Sequence, residues 1–175
     1  MSAAYVDQEL KAEFGRIPPS FLPLGNKRLF QQQFKTVPAS EEVFITLPSS
    51  FVMPKKDEKW LNENIINVIR IDEGLSLGES LNSALLQIKP KAVASISILF
   101  GDTLILDLPK QANSVSISKS NNGYDWAYVN NNSNRLLDDS INNHQSKQDN
   151  VVCGFFKFSD FTLFVTVRKV GLDKN

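Results

Sequence analysis

Residues 95–109 read SISILFGDTLILDLP, an apolar run broken at Gly101-Asp102. A stretch this rich in Ile and Leu, with little polar alternation, predicts a strand over 95–100 buried on both faces of a parallel sheet. Such a strand needs helices on either side, so the run points to an α/β fold. A glycine and a carboxylate at its C-terminal end place a charge at the carboxyl edge of the sheet, where open α/β folds bind ligands.

The segments before the run alternate in type as that fold requires. Lys27 to Lys35 puts Leu29, Phe30 and Phe34 on one face of a short helix. Val43 to Leu47 is a strand closed by Pro48, Asp57 to Asn64 is a helix anchored by Trp60 and Leu61, and Ile66 to Ile71 is strand again. Ser76 with Glu79 three places on predicts a capping box opening a helix from Leu77 to Ile88, with Leu77, Leu81, Leu85 and Ile88 on one face. Asp7 to Phe14 also reads as helix, with Glu9, Lys11 and Glu13 turned to solvent.

After the run the character changes. Ser114 to Ser118 and Tyr124 to Val129 alternate with period 2 and read as an antiparallel hairpin turning at Asn121-Asn122-Gly123. Residues 130–150, dense in asparagine, read as a mobile loop, and Val151 to Phe158 as a buried strand. Phe161 to Val167 is open between the helix that Ser159-Asp160 could cap and the strand its composition prefers.

Bulk properties narrow the class. A chain of 175 residues, 42% apolar, can bury one sizeable core, and reads as one domain: an α/β part over 1–112, a hairpin and Asn-rich loop over 113–150, and a returning strand and tail over 151–175. Nineteen basic residues balance nineteen acidic ones, leaving no positive field to draw nucleic acid or an anionic membrane. The single cysteine, Cys153, excludes an internal disulfide and reads as a small buried hydrophobe. With no charged-then-apolar leader and no long apolar span, a cytoplasmic protein is expected. His144 has no Cys or His at ligand spacing, so zinc is not indicated. Trp60 and Trp126 read as packing anchors.

Several short segments, in order from Ser2 to Val167, resemble the N-terminal core of the sugar-phosphate nucleotidyltransferases, which join a nucleoside triphosphate to a sugar 1-phosphate and release pyrophosphate. Pro18 to Lys27, PPSFLPLGNK, is similar to the family's P-K-P-L-L-P-V-x-x-K segment, and Val43 to Leu47 to its second strand. Leu77-Gly78 resembles the turn that contacts the nucleotide base, Phe100-Gly101-Asp102 the N-G-D strand end whose aspartate binds magnesium, and Gly154-Phe155-Phe156 a G-I-Y segment. The resemblance implies a Rossmann-like three-layer sandwich with a mostly parallel sheet, of the GT-A-like nucleotidyltransferase type. It implies nucleotide contacts at Ala3, Ala4 and Gly78, and Mg2+ at Asp102. Nucleoside triphosphate or sugar nucleotide and a sugar phosphate are the implied partners, and self-association is left open.

Residues 2–10, SAAYVDQEL, stand where the family has the signature L-A-A-G-x-G-T-R-L. Ala3, Ala4 and Leu10 fit, whereas Tyr5 and Asp7 replace glycines, Glu9 replaces the arginine, and Pro19 replaces the lysine of P-K-P. A glycine-rich turn holds phosphate through bare backbone N–H groups, and the arginine neutralises developing charge; Asp7 and Glu9 do the opposite. The family's first strand and second metal-binding aspartate also lack counterparts between Met1 and Asn175, which reads as a fragment, a split product or a shortened relative. Two readings follow: a nucleotidyltransferase of activated-sugar biosynthesis for surface or capsular polysaccharide, with catalytic residues unassigned, or a catalytically inactive nucleotide-binding or assembly protein of the same fold. Asp107 as a second ligand, Lys27 and Arg28 as phosphate contacts and Glu9 as a base are weaker candidates. Each has a plain alternative as a solvated side chain.

Overall fold

The computed structural model describes residues 3–89, 95–119, 128–130, 135–136 and 150–160. They fall into two compact units, one made of residues up to 91 together with 100–108, the other of 92–99 together with those from 109 on.

The first unit opens with α1 (Gln8–Phe14), capped where Asp7 Oδ1 accepts the Leu10 N–H at 2.9 Å and stopped by Gly15 at φ 79°. A proline-rich segment follows, with one turn of 3₁₀ helix at Pro19–Phe21 and a short antiparallel pair, β1 (Pro23–Leu24) with β2 (Lys27–Arg28). Then come α2 (Leu29–Phe34), β3 (Phe44–Pro48), α3 (Lys55–Glu63), β4 (Asn67–Ile71) and α4 (Leu77–Ile88). β3 and β4 run parallel, Phe44 opposite Asn67 and Pro48 opposite Ile71, so the expected βαβ unit is present. Two strands cannot bury themselves, and their cover is aromatic. Phe21 is fully buried with its ring 4.8 Å from those of both Phe30 and Phe51, in a core completed by Leu47, Leu61 and Ile66. Trp60 packs edge-on to Phe30 and Phe34 at its margin, the anchoring role expected of it.

The second unit is antiparallel. β9 (Asn150–Phe158) is its spine: β5 (Ile96–Leu99) and β7 (Tyr128–Asn130) share one edge and β6 (Ser114–Lys119) takes the other, with β8 (Arg135–Leu136) paired to β7. Gly154, at φ 73°, lies where the register between β6 and β9 shifts, a bulge for which glycine supplies the backbone.

Three expectations are corrected. The 95–100 strand is not part of a parallel sheet: Ile96 pairs with Phe158 and Leu99 with Phe155, antiparallel. An apolar run reports burial and not the direction of its neighbour, and here Ile98 alone of the four residues of β5 is buried. The 114–118 segment pairs with β9 and not with the segment around 128, so the expected hairpin partner is replaced by a strand over thirty residues further on. Leu77 is 54% exposed, the buried face of α4 being Ser80, Ala84 and Leu85. The chain is thus mixed α/β with small sheets, and among the described residues parallel pairing is confined to β3 and β4. The Asn121-Asn122-Gly123 turn, Trp126, His144 and segment 161–167 lie outside the described residues.

One backbone feature is testable at once. α3 ends in a Schellman motif, Ile66 N–H reaching Leu61 O at 3.0 Å and Ile65 N–H reaching Asn62 O at 3.1 Å. Its left-handed position is Ile65, at φ 56° and 83% exposed, where a β-branched side chain is strained and buries little. Ile65→Gly should therefore raise stability by about 1 kcal/mol in urea unfolding, because relief of strain exceeds the added freedom of the unfolded chain.

Candidate functional site

The carboxyl ends of β3 and β4 open onto Ser49-Ser50 and Asp72-Glu73, held in register by the Ser49 N–H to Ile71 O bond of 2.8 Å. An exposed run, Asp72 to Glu79, leads from there into α4. The N-terminal segment arrives at the same edge. Tyr5 Oη lies 2.7 Å from Ser50 Oγ, its ring packs edge-on near Phe51, and Val6 N–H bonds Ile17 O at 3.0 Å. Arg16 pairs with Glu73 and stacks 4.1 Å over the Tyr5 ring, while Ser50 Oγ donates to the other Glu73 oxygen. Of the residues singled out in the sequence, Ala3 and Ala4 directly precede Tyr5, and Gly78 follows Glu73 by five residues. Ala3 is half-buried; Ala4 and Gly78 are exposed.

Gly78 sits in the first turn of α4, and a Cβ built there meets nothing within 4 Å among the described residues. Packing does not require a glycine at this position. Just before it, Ser76 and Glu79 close the expected capping box: Ser76 Oγ and N–H donate to Glu79 Oε2 at 2.7 and 2.8 Å, and Glu79 N–H returns to Ser76 Oγ at 3.3 Å. These bonds, that of the Ser76 hydroxyl foremost, hold the Glu79 carboxyl below its ordinary value of 4.5.

Asp102 is exposed, and its carboxylate accepts from Thr103 Oγ1 at 3.1 Å. The turn that carries it is pinned from α2, where Gln33 Nε2 donates to Phe100 O at 2.9 Å and to Thr103 O at 2.6 Å. Asp107 is also exposed. Among the described residues no three metal-ligating side chains gather at one point, at Asp102 or elsewhere. The Asp102 carboxylate suits Mg2+ only when phosphate oxygens supply further ligands.

Asp7 and Arg28 have structural employment, whereas Glu9 and Lys27 are solvated. Asp7 caps α1, and Glu9 lies exposed in its first turn. Arg28 donates to Phe21 O at 3.0 Å and lies 3.5 Å from the buried Asp57 carboxylate, tying α2 to the start of α3, while Lys27 is exposed. Cys153 is half-buried, bonded to Val151 O, and burial pushes its thiol pKa up, consistent with an inert thiol. Sequence reasoning missed Arg16, Gln33, Ser50 and Glu73. For Glu73 a signal existed, an acid at a strand's carboxyl end directly before a glycine.

The pH dependence of the cap follows from the direction of the Glu79 shift. A carboxyl held low in the folded state adds stability above its ordinary range and loses it as pH falls through the lowered value. Ser76→Ala should cost about 1 kcal/mol at neutral pH, and the gap from wild type should narrow at pH 3, as read from paired urea titrations. Compared with known protein families, curated proteins and solved structures, the chain matches none.

Proposed function

We propose that this chain is a nucleotidyltransferase-like protein of activated-sugar biosynthesis, serving surface or capsular polysaccharide. In this reading it binds a nucleoside triphosphate or sugar nucleotide in the cytoplasm, at the carboxyl edge of β3 and β4. The observation that carries the reading is the ordered unit β3–α3–β4 with its parallel strands, followed in the chain by a capped helix with a sterically unneeded glycine in its first turn. The carboxyl edge of the strands is where open α/β units place ligands. The Rossmann-like three-layer core belongs to this proposal, with β3–α3–β4 as its parallel part. Asp102, on a turn oriented by Gln33, would hold Mg2+ together with the nucleotide's phosphates, and the metal would offset phosphate charge while a sugar phosphate displaces pyrophosphate.

A specific observation favours binding without turnover as the second reading. Where the resembled family has a glycine-rich phosphate turn, this chain has a capped helix: Asp7 is spent on the cap, Glu9 adds negative charge, and the Tyr5 ring is taken by Arg16.

Titration of the full chain with nucleoside triphosphates, with and without Mg2+, should show metal-dependent binding that Asp102→Asn weakens by at least about tenfold. Pyrophosphate release with a panel of sugar 1-phosphates then separates the enzyme from the non-catalytic binder, and no binding of any nucleotide overturns both. Gly78→Ala should raise helix stability by about 0.5–1 kcal/mol and weaken nucleotide binding severalfold. An unchanged affinity in that variant would remove Gly78 from the site.

A further inference from the structure

The cluster at the strand edge has the composition of an anion receptor with an anion already in it. Arg16 Nη2 donates to one oxygen of Glu73 and Ser50 Oγ to the other. A serine has one hydroxyl hydrogen. With that hydrogen given to Glu73, the 2.7 Å contact between Ser50 and Tyr5 requires the Tyr5 hydroxyl to donate to Ser50. The donors therefore form a chain aimed at the carboxylate, Tyr5 to Ser50 to Glu73, with the Arg16 guanidinium closing the other side and braced 4.1 Å over the Tyr5 ring. Guanidinium and hydroxyl donors in this arrangement read a phosphoryl group as well as a carboxylate.

Glu73 is also placed to leave. Its side chain is 37% exposed and Arg16's is 52% exposed, so neither is locked in the core. Gly74, the next residue, stands at φ 81° with open space around its Cα. The segment between Tyr5 and Arg16 is anchored by the buried Val6 and carries α1, none of whose residues is buried. The receptor can thus exchange its occupant without disturbing the packed centre of the unit.

We propose that Arg16, Ser50 and Tyr5 form a phosphoryl-binding cradle whose occupant in this state is the chain's own Glu73, and that a ligand's phosphate binds by displacing that carboxylate. The identity of the natural ligand as a nucleotide rests on the function proposed above; the cradle itself does not.

The test is calorimetric titration of the full chain with inorganic pyrophosphate. Glu73→Gln vacates the charge of the occupant and should tighten binding about tenfold over wild type, and Arg16→Met in the Glu73→Gln background should abolish the gain. Asp72→Asn removes the same charge one residue away and should leave affinity within about twofold, whereas a general field effect would give the two variants equal gains. Binding by Glu73→Gln no tighter than wild type, a gain that survives Arg16→Met, or an equal gain in Asp72→Asn each overturns the cradle. Nucleotide binding that depends on Asp102 while Glu73→Gln behaves as wild type would sink the cradle and leave the proposed function standing. The reverse pattern would sink the function and leave the cradle.

Discussion

Phe21 is the residue around which the first unit is organised. It is fully buried, it comes from a proline-rich segment outside the sheet and the α-helices, and it touches the ring of Phe30 from α2 and that of Phe51 from the end of β3. A two-stranded parallel sheet has too little surface to define a core alone, so the position of this ring decides how α2 and β3 meet. The flanking prolines lower the entropic cost of holding an irregular segment in place, because their φ is set before folding. Arg28 completes the arrangement. It donates to the Phe21 carbonyl and pairs with Asp57, buried in the first turn of α3, so one side chain ties the proline-rich segment to the crossover helix. A buried carboxylate with a guanidinium partner is costly to break on one side, which makes this a point of specificity as well as of stability.

The same anchoring decides what lies at the carboxyl edge. Phe51 is held by Phe21, and Ser50 directly before it is therefore held at the end of β3; Arg70 Nη1, bonded to Pro48 O and Phe51 O, fixes that end against β4. Glu73 follows β4 by two residues. The polar cluster is a consequence of where the aromatic centre puts these strand ends, and its two remote members, Tyr5 and Arg16, are brought to it by the Val6 to Ile17 backbone bond that closes the loop carrying α1.

Much of this was legible in the sequence wherever the signal was local. The capping box and both ends of α4, the helix over 8–14, and the strands at 44–48, 67–71 and 150–158 rest on residues within a few places of each other. Pairing partners were not legible, because Ile96 and Phe158 are joined only by the fold. Period-2 alternation in 114–118 correctly indicated a strand but not which face is covered: Val115 and Ile117 are 38% and 47% exposed, while Ser114 and Ser116 are half-buried. The candidate residues divide the same way. Gly78 and Asp102 stand out as a glycine in a capped turn and an acid after a strand, whereas Arg16 and Glu73, 57 residues apart, acquire meaning only through their contact. Gln33 is one of three consecutive glutamines, and nothing local distinguishes it from its neighbours until its two bonds to the Asp102 turn are seen.

Stability alone does not account for the cluster of Tyr5, Arg16, Ser50 and Glu73. An exposed ion pair contributes about 0–1 kcal/mol, and an exposed cation–π contact adds about 0.5–1 kcal/mol. α1 itself buries no side chain, but the loop that carries it is already tethered by the buried Val6 and by Ile17, which packs against the core, and the polar contacts of the cluster are added to that tether. Contacts of this kind exchange with water at small cost and respond to salt and to competing anions, which a hydrophobic tether does not. The aromatic centre beneath, with Phe21 and Phe51 buried, takes the Tyr5 ring at its margin but needs none of the hydroxyl, guanidinium or carboxylate groups of the cluster for its packing. The first unit thus pairs a rigid interior with an edge held together by interactions weak enough to be replaced, and that division places the chain's capacity for change at the ends of its parallel strands.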